Sequence, residues 1–266
     1  MINLIFCIIR LKGWVMKMKF RFQNREDAKE NLEYVKKYYS DEVLHSRKMT
    51  RVYDSNTKFN LIEFNQKPNI QLVQKDTVSA LFEDITEKDG HVGILNFASY
   101  KNPGGGYLNG SYAQEEALCH VSTLYSVLCS QSRFYNVNIH HLNNSLYTNR
   151  ALYSPDIAFF QEDYDKYADV ITCAAPNRKA ALKKGISEEE NEEALKSRIE
   201  FIYNIANENQ IDTLILGAYG CGVFGQNPKK VAALFLEYAK GKVKTIIFAV
   251  PQGKNYESFE EALSYD

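Results

Sequence analysis

Between Val92 and Glu116 the chain runs VGILNFASYKNPGGGYLNGSYAQEE, a short apolar stretch, three successive glycines and two adjacent carboxylates. That order reads as strand, loop and helix. Val92 to Phe97 is apolar enough for a buried strand, and Pro103 followed by Gly104, Gly105 and Gly106 cannot continue it. Residues without a Cβ let backbone N–H groups approach a ligand closely. A loop of this kind leading into a helix N-terminus favours an anion such as a diphosphate, so a nucleotide is the natural ligand to consider. The spacing of Ser111 and Gln114 is that of a capping box, which puts Glu115 and Glu116 in the first helical turn. Taken alone, the same residues also suit an ordinary surface turn followed by carboxylates that complement the helix dipole.

Composition bounds the rest. With 266 residues, 45% of them hydrophobic, the chain can bury a sizeable core as one large domain or as one domain with an extension. Its formal net charge of -1 lacks the basic footprint of a protein that grips nucleic acid by its phosphates, so a polyanionic substrate must be held by local loops. Cys7, Cys119, Cys129, Cys173 and Cys221 form no CxxC pair and do not cluster with the histidines, so neither zinc nor a disulfide framework is indicated. Dispersed cysteines in odd number suit a reducing compartment. The sequon Asn109-Gly110-Ser111 falls inside the proposed ligand loop, where a glycan would block it, and an intracellular, cytoplasmic protein is expected, or a nuclear one in a eukaryote.

Met1 to Arg10 (MINLIFCIIR) is apolar but too short to span a bilayer, and it has neither leading basic residues nor a small-residue cleavage site. Residues 1–20 are therefore set apart as a leader, disordered, misannotated or weakly membrane-associating. Residues 21–68 read as a helical extension, with Leu32, Val35, Tyr39 and Val43 at roughly helical spacing, and residues 69–266 as the main domain.

Within that domain Asn69 to Gln74 is a strand candidate, and Thr77 to Ile85 a helix that Asp76 would cap. Ala117 to Ser130 continues the helix of the glutamates. Ser132 to Asn149 reads as a long irregular excursion, whose His140 and His141 are solvated rather than metal ligands. Ala151 to Phe160 is extended and broken at Pro155, and Val170 to Ala175 is a buried strand. Ser187 to Asn209 is a long helix, followed by a strand at Ile211 to Leu216. That strand opens into a second glycine-rich loop, Gly217 to Gly225, which Pro228 closes by starting a helix. Val243 to Val250 is the last strand and Tyr256 to Leu263 a closing helix. Strands alternating with helices argue for an α/β domain of three layers around a mixed, largely parallel sheet, with ligand loops at strand C-terminal ends. Two glycine-rich loops at such ends are what a diphosphate pinched between two walls needs. Neither has the Rossmann GxGxxG spacing or the lysine of a P-loop.

Asn96-Phe97-Ala98, Pro103 to Gly106 and Gln114-Glu115-Glu116, taken together, closely resemble the signature of the microbial-type poly(ADP-ribose) glycohydrolases, enzymes of the macrodomain fold. The second loop resembles the macrodomain phosphate-binding loop, and the resemblance runs from about Asn69 to the C-terminus. It implies hydrolysis of the ribose-ribose O-glycosidic bond of poly(ADP-ribose), with ADP-ribose as product and neither metal nor cofactor. It assigns Glu116 as acid/base and Glu115 as the neighbour that orients ribose hydroxyls. It further implies adenine recognition by Asp76 and contacts to the distal ribose and diphosphate from Asn96 and Gly104 to Gly106, with Gln114 beside them. Gly220, Cys221, Gly222, Val223 and Phe224 would close over the phosphates, with Phe224 packing near a ribose or the adenine. Ser99 stands where some related loops carry asparagine. The expected partners are poly(ADP-ribose) or ADP-ribosylated proteins, with no membrane and no sequence-specific nucleic acid, and the chain is expected to be a monomer. Two alternatives stay open: removal of single ADP-ribose units from protein or nucleic acid, and a reader that binds ADP-ribose without cleaving it. The Gln-Glu-Glu element speaks against the reader, which needs no glutamate pair at the distal ribose.

Overall fold

The computed structural model describes residues 23–62, 67–161 and 164–264, so the leader expected over residues 1–20 lies outside the described residues. A seven-stranded sheet organises the chain in the order β1 (Arg51–Asp54), β4 (Arg150–Phe160), β5 (Asp165–Cys173), β3 (Val92–Phe97), β6 (Thr213–Leu216), β7 (Thr245–Ala249), β2 (Asn69–Val73). β4 runs antiparallel to both of its neighbours, and the remaining pairs are parallel. The central strands are apolar on both faces because both are covered. Leu95, Ile171, Leu214 and Phe248 meet α8 (Glu188–Glu208), α9 (Pro228–Ala239) and Phe259 of α10 (Lys254–Leu263). Their alternates Ile94, Val170, Ile215 and Ile247 meet α3 (Thr77–Asp84), α4 (Gln114–His120), α5 (Leu124–Cys129) and α6 (Ser132–His140). This is the expected three-layer arrangement.

The N-terminal part is helical over residues 23–38 (α1) and Ser40–Met49 (α2), but it also supplies β1, the edge strand beside β4. α1 packs on the first glycine-rich loop rather than on the sheet alone. Asn24 donates to the carbonyl of Gly110 at 3.3 Å, and the Tyr107 hydroxyl donates to the carbonyl of Ala28 at 3.1 Å.

Three readings of the sequence change. Ala117 to Ser130 is two helices, because the Ser122 hydroxyl turns back to the carbonyl of Leu118 while Ser122 bridges to Phe159 of β4. Ser132 to Asn149 is not wholly irregular, since α6 buries Phe134 and Tyr135 against the sheet. Pro155 does not break β4 but sits in a bulge where the register shifts between Ser154 and Ile157. Asp156 there has φ +53°, and its N–H donates to the Asp169 carboxylate at 3.0 Å.

Among the described residues, no helix is long and apolar enough to cross a membrane.

Candidate active site

β3, β5 and β6 end side by side, and the loops that leave them enclose a cleft of 540 Å³, within the size range of small-molecule sites. Gly105, Glu115 and Glu116 form one wall, and Gly220, Gly222 and Phe224 another. A second chamber of 250 Å³ shares Phe97, Ala113, Gln114 and Ala218 with the first, and is otherwise lined by Asp76 and such apolar residues as Val78 and Ala249.

The first loop reaches the wall by winding tightly. Gly104 and Gly105 have φ +65° and +60°, and Tyr107–Asn109 forms a single 3-10 turn. A Cβ at Gly105 would stand 2.6 Å from Oε1 of Glu116 and 3.0 Å from Oε2 of Glu115, so both carboxylates border the same spot. Gly104 packs instead on the Tyr125 ring, and Gly106 donates its N–H to Oε1 of Glu116 at 2.8 Å.

The N-cap of α4 is Ala113, not Ser111. Oε2 of Glu116 accepts the Ala113 N–H at 2.9 Å, which is the reciprocal arm of a capping box without its hydroxyl partner. Two backbone donors, one from each side of the loop, therefore fix the Glu116 carboxylate.

Glu115 is buried, and its Oε2 accepts the Ser99 N–H at 2.6 Å while its Oε1 accepts from Nδ2 of Asn96 at 3.3 Å. Burial pushes its carboxyl up to about 8. The Ser99 and Asn96 hydrogen bonds oppose that rise, and the charge of Glu116 adds to it. Asn96 is wholly buried beneath Glu115; its Nδ2 also donates to the Thr172 hydroxyl at 3.3 Å, and its Oδ1 has no partner. Turned over, the same amide would offer that oxygen to a protonated Glu115.

Other expected site residues are distributed unevenly. Gln114 borders the cleft, but its amide clamps α4 to β3: it accepts from Phe97 N–H at 2.8 Å and donates to the carbonyl of Leu95 at 2.9 Å. Asp76 caps α3 through the Ser79 N–H at 2.9 Å and faces the smaller chamber as well. In the second loop Gly220 has φ +71° and packs against Ala175, whereas a Cβ on Gly222 would meet nothing within 4 Å. Val223 is 80% exposed, and Cys221 turns its thiol toward the carbonyl of Tyr219 rather than into the cleft. Phe224 lines the cleft with its ring 6.1 Å from that of Tyr147.

Tyr147, Tyr100 and Asn177 also line the cleft, and the sequence reading did not single them out. Asn177 could have been found, since it lies four residues beyond the end of the buried strand β5. Tyr147 could not, because it lies in a stretch without periodicity.

A family model for the catalytic domain of microbial-type PARG, poly(ADP-ribose) glycohydrolase, matches residues 23–162, over half of the chain. Among solved structures, the poly(ADP-ribose) glycohydrolase of Thermomonospora curvata is 27% identical with a TM-score of 0.82, over 91% of this chain and 99% of that one. The same enzyme bound to the inhibitor ADP-HPD gives a TM-score of 0.78 at 28% identity, covering 90% of this chain and 99% of that one. The T267R mutant of the Deinococcus radiodurans enzyme in complex with ADP-ribose is 28% identical with a TM-score of 0.74, over 84% of this chain and 97% of that one. No curated protein matches the sequence.

Proposed function

The chain belongs to the microbial-type poly(ADP-ribose) glycohydrolase family, and from that premise we propose that it hydrolyses the ribose-ribose O-glycosidic bonds of poly(ADP-ribose) and releases ADP-ribose. The observation that carries this reading is the carboxylate pair, Glu115 and Glu116, bordering one point of a cleft whose opposite wall is a second glycine-rich loop.

Glycosidic cleavage needs a proton on the leaving ribose oxygen while the other ribose develops oxocarbenium character, and then a base to activate water. Glu116 takes both roles in turn. The N–H groups of Gly106 and Ala113 aim its carboxylate before substrate arrives, so little reorganisation accompanies the reaction. Glu115 orients the ribose hydroxyls. Its neutral form near pH 7 spares Glu116 a full negative neighbour.

The diphosphate lies between Gly105 and the loop from Gly220 to Phe224, where backbone N–H groups approach it without Cβ atoms in the way. The adenine fills the smaller apolar chamber, and Asp76 accepts from its amino group while keeping its cap on α3. Asn96 and Gln114 act one step back: Asn96 holds Glu115, and Gln114 fixes the start of α4.

Glu116→Gln tests the assignment, because the amide keeps the shape and one of the two backbone hydrogen bonds, from Gly106 or from Ala113, and cannot transfer a proton. ADP-ribose affinity near that of the parent with turnover abolished is the expected outcome. Parental rates in that variant would remove Glu116 from the mechanism.

A further inference from the structure

The segment that carries Tyr147 is the most contorted part of the described backbone. Asn143, Asn144, Ser145 and Tyr147 have φ +43°, +50°, +77° and +61°. Asparagine tolerates the left-handed region, but serine and tyrosine rarely adopt it, and such residues persist only where their surroundings impose them. Here the surroundings do. The Asn143 amide donates to the carbonyl of Tyr147 at 3.1 Å, and Lys184 donates to the Ser145 hydroxyl at 2.8 Å. Arg198 is 1% exposed. It donates to the carbonyl of Leu146 at 3.4 Å, to Asn149 Oδ1 at 2.8 Å and to the carbonyl of Ala174. A buried guanidinium is costly to desolvate, and this one is used to tie the Tyr147 segment to the end of β5.

The contortion delivers one aromatic ring to the cleft. Tyr147 lines it, backed by the parallel ring of Tyr100 at 4.2 Å and 11°. Tyr100 is itself anchored through its hydroxyl, which pairs with the Thr148 hydroxyl at 2.8 Å and donates to the carbonyl of His141 at 3.1 Å. On the cleft side Tyr147 meets Phe224 at 60°, so the two rings form a corner rather than a flat stack. A corner of this kind is apolar on both inner faces, and it lines the same cleft as the glutamates.

We propose that Tyr147 is a substrate-contacting residue, its ring packing with Phe224 against a ribose of the bound ADP-ribose unit, and that Arg198 is the positioning residue that holds it there. The proposal rests on the functional reading above and adds to it the residue that sets the orientation of the sugar. The C–H faces of a ribose are apolar while its rim is hydroxylated, so an aromatic corner holds the faces and leaves the hydroxyls toward the glutamates.

The test measures ADP-ribose affinity by calorimetry, and KM and kcat on poly(ADP-ribose), for the parent, Tyr147→Phe, Tyr147→Leu, Tyr147→Ala and Arg198→Lys, with melting curves in parallel. Tyr147→Phe is expected to match the parent. Tyr147→Ala should bind ADP-ribose about tenfold more weakly or worse, with KM rising by more than kcat falls. Should the alanine variant fail to fold, Tyr147→Leu keeps the volume over Tyr100 and should show the same loss of affinity. Arg198→Lys should reproduce part of that loss, and combining it with Tyr147→Leu should cost no further affinity, because both changes remove one contact. A folded Tyr147→Leu with parental affinity and KM overturns the proposal and leaves the functional reading intact. A parent that neither binds ADP-ribose nor turns over overturns the functional reading, and this proposal with it.

Discussion

Replacing Glu115 by glutamine should stabilise the protein, and by more the higher the pH. The carboxyl titrates near 4.5 when unfolded and is pushed up to about 8 by burial in the fold. Because the folded value lies above the unfolded one, the native state favours the neutral form. Stability is undiminished below pH 4.5, falls as pH rises, and levels off beyond the folded value. Between those limits each pH unit removes about 1.4 kcal/mol, so at pH 7 the parent has lost roughly 3 kcal/mol through this one group. Glutamine does not titrate. Its oxygen can keep the Ser99 N–H, and its amide nitrogen can take the place of Oε1 beside Asn96, whose amide turns over to present its unpartnered Oδ1. At pH 7 the variant should therefore melt roughly 6 to 12 °C above the parent, and the two should converge toward pH 4.5. Parallel melting series from pH 5 to 8.5 provide the check, since every other titrating group is common to both proteins. Superimposable pH dependences would show that Glu115 is ionised in the fold and that the account of its environment is wrong.

The two glycine walls should respond differently to valine. Gly222→Val adds a branched side chain where the protein itself offers no obstruction, so its melting point should hold while ADP-ribose binding weakens roughly 30- to 150-fold. Parental affinity in a calorimetric titration would free that loop from the diphosphate. Gly105→Val must lose stability as well as binding, because φ is +60° and the new Cβ would press on Glu116, and a normal melting curve would contradict the geometry. Activity should survive exhaustive EDTA, since the proposed reaction assigns both proton transfers to Glu116. Loss on chelation with recovery on added zinc or magnesium would reveal a missed site.

The wall that carries Glu115 and Glu116 was legible in the sequence because its residues are continuous along the chain. Strand, glycine turn and Glu115-Glu116 lie within 25 residues, and local rules of turn and cap are enough to join them. The three-layer sheet followed from apolar strands alternating with amphipathic helices. What local rules could not give was which atoms face the ligand. Asn96 and Gln114 read as ligand contacts, yet their amides engage Glu115, Thr172 and β3, a pairing that depends on how closely α4 docks. Ser111 had the spacing of a cap, but Ala113, in extended backbone, takes that place. β1 went unread because a four-residue edge strand, half exposed, carries no periodicity above its surroundings. Tyr147 is the extreme case. Its segment is held by Asn143 nearby and also by Arg198, more than fifty residues later in the chain, so no window around the tyrosine contains the whole cause.

The most direct test of poly(ADP-ribose) hydrolysis is to incubate the purified chain separately with poly(ADP-ribose) and with mono-ADP-ribosylated protein, resolving the released products by mass. Release of ADP-ribose from the polymer, with the mono-modified protein left intact and Glu116→Gln releasing nothing, is the predicted result. Release from the mono-modified protein alone would make the chain a mono-ADP-ribosyl hydrolase. Tight ADP-ribose binding with no release from either substrate would contradict catalysis and leave a reader.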